Sequence, residues 1–298
     1  MNYVSFKIEK EYPSILNFLK EQNLSKNFII ALKKNTAAIL VNSYPKKLIS
    51  PLLKGDVLEI EKEPVSKRSN IKNTDLPLEV VYEDIDLLVV NKPANIVTIP
   101  SKLHNEISLA GMVLNYYKNL PFTFRPINRL DKEASGLVLI AKNQFICEKL
   151  FNCISEKNYF AIVCGQITKL KTIKKNILTL QDENKTNIRK RVVDLNGKSA
   201  TTHVEPIKIF NDYTLCKIKI ENGRTHQIRV HLSSISHPLL GDSLYGQSSN
   251  LISRTALHLY EITLIHPISN HAINLIAPFP NDILSLINWF LKNLKIRT

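Results

Sequence analysis

Between Tyr12 and Glu61 the apolar positions fall first at helical and then at strand spacing. Ile15, Leu16, Phe18 and Leu19 form one stripe in YPSILNFLKEQ. Phe28, Ile29 and Leu32 form a second in NLSKNFIIALKKN, with Ser25 in the N-cap position. Ala38–Asn42 is a short apolar strand, and Gly55-Asp56 turns the chain into the alternating strand Val57, Leu58, Ile60. The stretch 62–77, KEPVSKRSNIKNTDLP, has no apolar period and is the expected linker. The pattern therefore predicts a small domain over 1–61 and a larger one over 78–298.

In the larger part, strand signals dominate. LEVVYEDIDLLVVNKP predicts two strands around the acidic turn Glu83-Asp84, and GLVLIAK (136–142) a strand buried on both faces. NYFAIVCGQI (158–167) and TLCKIKIEN (214–222) follow; the latter alternates Cys216, Ile218 and Ile220 inward with Lys217, Lys219 and Glu221 outward. LYEITLIHP and AINLIAP end the series. Helical patterns at 107–118, 144–155 and 282–294 interrupt it, which predicts an α+β domain with a mixed, mainly antiparallel sheet and flanking helices. The polar, basic segment 179–204 is expected to be an exposed hairpin or loop.

Composition narrows the function. No run approaches the roughly 18 apolar residues of a spanning helix, and the start has no uninterrupted apolar core of a leader. Neither membrane nor secretion is expected, and the expected location is cytoplasmic. Lys+Arg number 40 against 26 Asp+Glu, a net charge of +14, which points to a polyanion, nucleic acid ahead of an acidic membrane surface. The 4 cysteines (Cys147, Cys153, Cys164, Cys216) have neither zinc-ribbon nor disulfide-framework spacing, so reduced structural thiols are expected. His226, His231 and His237 lack a thiol or carboxylate at ligand spacing, so no metal is expected.

Glycine occurs only 8 times, and arginine is scarce beside lysine. Both rarities meet in RPINRLDKEASG (125–136) and GRTHQIRVH (223–231), which marks these segments for chemistry. In the first, Asp131 stands beside Arg129 on a loop before a buried strand, where a neighbouring cation would favour an ionised nucleophile or base. The alternative is an aspartate that caps a turn. In the second, Thr225 is the expected N-cap and Ile228, Leu232 and Ile235 the apolar stripe. Gln227 and Arg229 fall off that stripe, and Pro238 stops the helix. Taken alone, this is equally a basic amphipathic helix on the surface.

Together, NRLDKEASGLVLIAK, GRTHQIRVHL and HPLLGDSLYG (237–246), with ALHLYEITLIHPIS and APFP in order downstream, closely resemble the catalytic motifs of RluA-type pseudouridine synthases. The resemblance spans about 78–280. It implies the pseudouridine synthase fold and isomerisation of specific uridines to pseudouridine in structured RNA, ribosomal ahead of transfer RNA, by base flipping and without a cofactor. It also implies catalytic roles for Asp131, for Arg229 as its ion-pair partner, and for Tyr159, in NYFAIVCG, against the uracil. Arg129 matches the residue that contacts or fills the vacated base stack. Arg224, His226, Gln227, Ile228 and Leu130 are the further expected RNA- or substrate-binding residues, and the 185–191 basic cluster a weaker source of phosphate contacts.

Asn128 and Ala134 replace the family's usual His and Thr, which predicts weaker capping of the Asp131 loop. The N-terminal unit resembles the ribosomal-protein-type RNA-binding domain that often precedes this catalytic domain, in degenerate form: Asn35-Thr36 and Ser43 stand where acidic-Gly and Gly turns are usual. A monomer without an obligatory protein partner is expected. Two readings from other classes remain: a catalytically silent RNA-binding or ribosome-assembly factor, and a glycosidic hydrolase, against which stands the lack of a second carboxylate at recognisable spacing.

Overall fold

The computed structural model describes residues 3–35, 37–63, 71–101, 106–180 and 190–293. The N-terminal unit contains β1 (Tyr3–Lys7), α1 (Ile15–Glu21), α2 (Lys26–Lys33), β2 (Ile39–Val41), β3 (Tyr44–Pro45) and β4 (Val57–Glu61), with an antiparallel sheet in the order β1-β4-β2-β3. Ser25 caps α2 as expected, its Oγ accepting the Phe28 N–H at 3.1 Å. The β2–β3 turn needs left-handed backbone at two positions and obtains it without glycine, from Asn42 (φ 52°) and Ser43 (φ 70°). Bonds from the Asn42 side chain to Asp56 and to the Val57 N–H hold that turn.

The larger sheet is built from β5 (Val80–Glu83), β6 (Leu87–Lys92), β7 (Ser135–Ala141), β8 (Ile154–Cys164), β9 (Lys171–Lys174), β12 (Thr201–Phe210), β13 (Tyr213–Ile220), β14 (Leu257–Ile265) and β15 (Ala272–Ile276). Between β9 and β12 in the chain, β10 (Ile177–Thr179) and β11 (Arg191–Val193) pair as a separate hairpin. The helices are α3 (Leu109–Tyr116), α4 (Gln144–Leu150), α5 (Gln227–Ser233) and α6 (Asn281–Lys292). Sheet order is β5-β6-β7-β14-β8-β13-β12-β9, with β15 on β14, and β7–β14 is parallel while the other described pairs are antiparallel. The α+β architecture agrees with the sequence expectation. At the parallel seam Gly136 has φ +119°, and a Cβ there would run into the backbone of Leu259. This glycine lets two strands meet where the functional loop enters the sheet.

β7 is buried at all of its positions, as the unbroken apolar run GLVLIA requires. The helix expected over 144–155 ends at Leu150, because Ile154 is taken into β8 and pairs with Leu264. The N-terminal unit packs on α4: Phe6 and Phe28 lie 6.1 and 6.0 Å from the Phe145 ring. Ser25 Oγ donates to Glu148 at 2.8 Å, and Lys149 Nζ donates to the Gln22 carbonyl at 2.7 Å. Where the chain leaves β4, Lys62 forms a buried ion pair with Asp86 (2.8 Å), and Glu63 accepts from Arg125 and the Gln144 N–H. Further on, the Thr74 N–H donates to the Gly111 carbonyl at 3.0 Å.

Candidate active site

Asp131 sits on the loop that runs into β7, and neighbouring backbone contacts fix that loop. Thr98 Oγ1 accepts the Leu130 N–H (3.2 Å) and donates to the Leu130 carbonyl (3.0 Å). The expected loss of capping at Asn128 is not what the structure shows. Its amide donates to the Leu137 carbonyl and accepts the Leu139 N–H, both at 2.9 Å, so it ties the loop to β7 like an extra rung of the sheet. Lys92, fully buried at the end of β6, donates to the carbonyls of Pro93, Ile96 and Lys132 at 2.8, 2.7 and 3.3 Å. Burial lowers its pKa to about 7, with the charge of Asp131 pulling the other way.

α5 differs from its sequence expectation. Its N-cap is His226 in left-handed backbone (φ 56°), without a side-chain cap, and not Thr225. The preceding turn is held instead by Gln227, whose Oε1 accepts the Arg224 N–H and whose amide donates to Thr201 O and Thr202 Oγ1. Gln227, Arg229 and His231 are all buried, so the helix is enclosed and the surface amphipathic reading fails. Single-stripe periodicity cannot reveal this, because the polar face is covered by β12 and by the turn after Pro238.

Enclosure places Arg229 opposite Asp131. Its Nε and NH2 grip Asp242 at 2.7 and 2.8 Å, leaving NH1 3.6 Å from Asp131 Oδ2 and NH2 3.8 Å from Glu133 Oε2. Burial works against the charge, yet Asp242, Asp131 and Glu133 hold Arg229 above its ordinary pKa. On the other side, His226 Nε2 lies 3.9 Å from Asp131 Oδ1. Burial, opposed by Asp131 and reinforced by Arg229 and Arg191, keeps this imidazole below its ordinary pKa. Tyr159 on β8 is 7% exposed, and burial together with the Asp131 charge raises its phenol, which stays protonated.

One cavity of about 870 Å³ gathers the residues singled out from the sequence: Asp131, Tyr159, Arg229, Arg129, Arg224, His226, Gln227, Ile228 and Leu130 all line it. That volume falls within the roughly 300–1,000 Å³ of small-molecule sites. Arg129 and Arg224 are exposed at its rim, whereas Ile228 and Leu130 are buried apolar wall. Arg191, the last residue of the 185–191 basic cluster, also lines it, as does Lys157, which did not stand out in the sequence. Lys157 lies two positions before Tyr159 on the same strand, a spacing that gives both side chains one face. Residues 185–189 of the basic cluster lie outside the described residues.

Asp242 and Tyr245 likewise carried no assigned role. Asp242 is fully buried and also accepts the Leu244 and Tyr245 N–H groups at 3.1 Å each. A buried acid needs a cation, so Gly-Asp within HPLLGD was a signal in hindsight, but only the fold names Arg229 as its partner. Among the described residues no three His, Cys, Asp or Glu side chains converge to hold a metal ion, and no helix is long and apolar enough to cross a membrane.

Residues 86–234 match the family model of RNA pseudouridylate synthase. An uncharacterized RNA pseudouridine synthase of Bacillus subtilis is 31% identical over 281 residues, covering 92% of this chain and 98% of that protein. The ribosomal large subunit pseudouridine synthase D of Salmonella typhimurium is 32% identical, covering 84% of this chain and 82% of its own length. Among solved structures, human RNA pseudouridylate synthase domain containing 1 shares the fold, with a TM-score of 0.57 at 22% identity over 77% of this chain and 98% of that one. The motifs, the sheet and these relatives agree: the chain belongs to the RNA pseudouridylate synthases of RluA type, isomerases that act on RNA.

Proposed function

We propose that the protein converts specific uridines of structured RNA, ribosomal RNA ahead of transfer RNA, by drawing the target nucleotide out of its stack into the 870 Å³ cavity, where Asp131 opens the glycosidic bond. The observation that carries this is the meeting of Asp131 and Arg229, far apart in sequence, at 3.6 Å in a cavity walled by Tyr159. Asp131 either attacks C1′ or removes the C2′ proton, and the facing guanidinium orients its carboxylate for either step. Tyr159, whose phenol pKa is raised by burial and by the Asp131 charge, forms a face for the uracil beside Asp131. Arg129 at the rim contacts or fills the vacated stack, Arg224 and Lys157 meet phosphate or sugar, and Ile228 and Leu130 pack the base. The cost of extrusion, on the order of a few kcal/mol, is offset by such contacts.

Residues 1–61 serve in this reading as an RNA-binding domain, 62–77 as the connection and 78–298 as the catalytic domain. The enzyme acts in the cytoplasm as a monomer with no obligatory protein partner. The support from relatives is that several are named for the large ribosomal subunit. The test is tritium release from RNA labelled at uridine C5. Asp131→Asn is expected to abolish release while RNA binding stays largely intact, and undiminished release would remove Asp131 from the mechanism.

A further inference from the structure

The two oxygens of Asp131 face two different donors, and one of these is held by a chain of bonds that leads out of the cavity. Arg229 NH1 faces Oδ2 at 3.6 Å, and His226 Nε2 faces Oδ1 at 3.9 Å. Both distances are longer than hydrogen bonds, as in many unliganded sites that tighten around substrate. His226 can be a donor there only if Nε2 carries the hydrogen. Its Nδ1 lies 2.8 Å from the hydroxyl of Tyr245, and that hydroxyl accepts the backbone N–H of Arg191 at 2.9 Å. With its oxygen already accepting, the phenol has one proton to give, and Nδ1 at 2.8 Å is placed to accept it. The imidazole is then the Nε2–H tautomer, pointed at the carboxylate. Two further contacts fix Tyr245: the Asp242 carboxylate accepts its N–H at 3.1 Å, and the Arg229 guanidinium lies over its ring at 5.2 Å.

We propose that Tyr245 is a positioning residue for the reaction, locking His226 in the Nε2–H form so that His226 and Arg229 each offer a donor to one oxygen of Asp131. The same hydroxyl binds the first residue of β11, so the donor is tied to the strand pair β10–β11. This rests on the reading of Asp131 given above.

The test is a double-mutant cycle on single-turnover tritium release, with bulk RNA labelled at uridine C5 and taken from cells lacking the protein. Tyr245→Phe removes only the hydroxyl. Its rate at saturating RNA is expected to fall roughly 10- to 100-fold, the usual cost of losing an orienting partner, while RNA affinity changes little. His226→Gln offers an amide donor that needs no tautomer, so adding Tyr245→Phe to it should lower the rate much less than in the parent. An equal fall in both backgrounds, or no fall in Tyr245→Phe, overturns the proposal. Should Tyr245→Phe not fold, His226→Gln against His226→Ala decides. A much smaller loss for Gln supports the donor role, and equal losses overturn it. If the unaltered protein releases no tritium, the reading of Asp131 fails and not the role of Tyr245 alone.

Discussion

Arg229 and Arg254 are held in the same kind of clamp in two regions of the molecule. Each is buried and grips an aspartate with Nε and NH2: 2.7 and 2.8 Å to Asp242 for Arg229, 2.6 and 2.9 Å to Asp282 for Arg254. They differ in what is left over. Arg254 spends NH1 on the carbonyls of Glu133, Thr255 and Leu257 and so staples α6 and the Asp131 loop to the start of β14. Arg229 keeps NH1 for Asp131, across a gap of 3.6 Å. A saturated guanidinium builds structure, and one with a donor in reserve beside a cavity is available to chemistry.

The same substitution in both places breaks the comparison most directly. Lys keeps the charge but loses the planar fork. Arg229→Lys is expected to lower the single-turnover rate by roughly 100- to 1,000-fold, the scale of removing one preorganised donor from a reacting site. Arg254→Lys is expected to change the rate little but to cost on the order of 1–3 kcal/mol in denaturant titration, because buried carbonyls lose their donor. Interchanged effects would mean that the reserve donor carries no function.

A second prediction sharpens the structural side. His258 lies at the β7–β14 seam, with Nδ1 3.0 Å from Ser135 Oγ, and burial, opposed by the Ala277 carbonyl and reinforced by Arg254, lowers its pKa to about 4. The unfolded chain takes up that proton near its ordinary value of about 6.5. Between the two values the unfolded state binds more protons, so stability should fall as pH drops from about 6.5 towards 4. In His258→Gln that part of the pH dependence should flatten; an unchanged slope would assign it to other groups. The smallest effect is expected far from both clamps. Lys46 and Lys47 are exposed on the N-terminal unit. Their replacement by Glu should weaken RNA binding and reduce the salt slope by about one for each phosphate that is no longer neutralised, with kcat unchanged. An unaltered slope would take these lysines out of the RNA-binding surface.

The sequence showed the strands of the larger sheet well, because their apolar runs are long and bounded by turn residues. It showed part of the cavity wall, from Arg129 to Asp131 and from Arg224 to Arg229, through two motifs rich in scarce residue types, and Tyr159 through the family resemblance. It misjudged what depends on neighbours. The helix after Leu150 gave way to β8, and α5 lacks its expected cap because Gln227 bonds to β12. Asn128 proved to hold its loop, since an amide can bond a strand's N–H and carbonyl together when placed beside it. Asp242 and Tyr245 stayed unassigned for the same reason: their partners are set by long-range packing.

What the sequence alone determined is which residue types were reserved for chemistry and the alternation that makes an α+β sheet, because periodicity and composition are local properties of the chain. Only the tertiary structure decided which oxygen of Asp131 meets which donor, and that Arg229 is shared among the carboxylates of Asp242, Asp131 and Glu133. Distances between side chains follow from how strands and helices pack, and a buried charge takes the partner that the fold brings within reach.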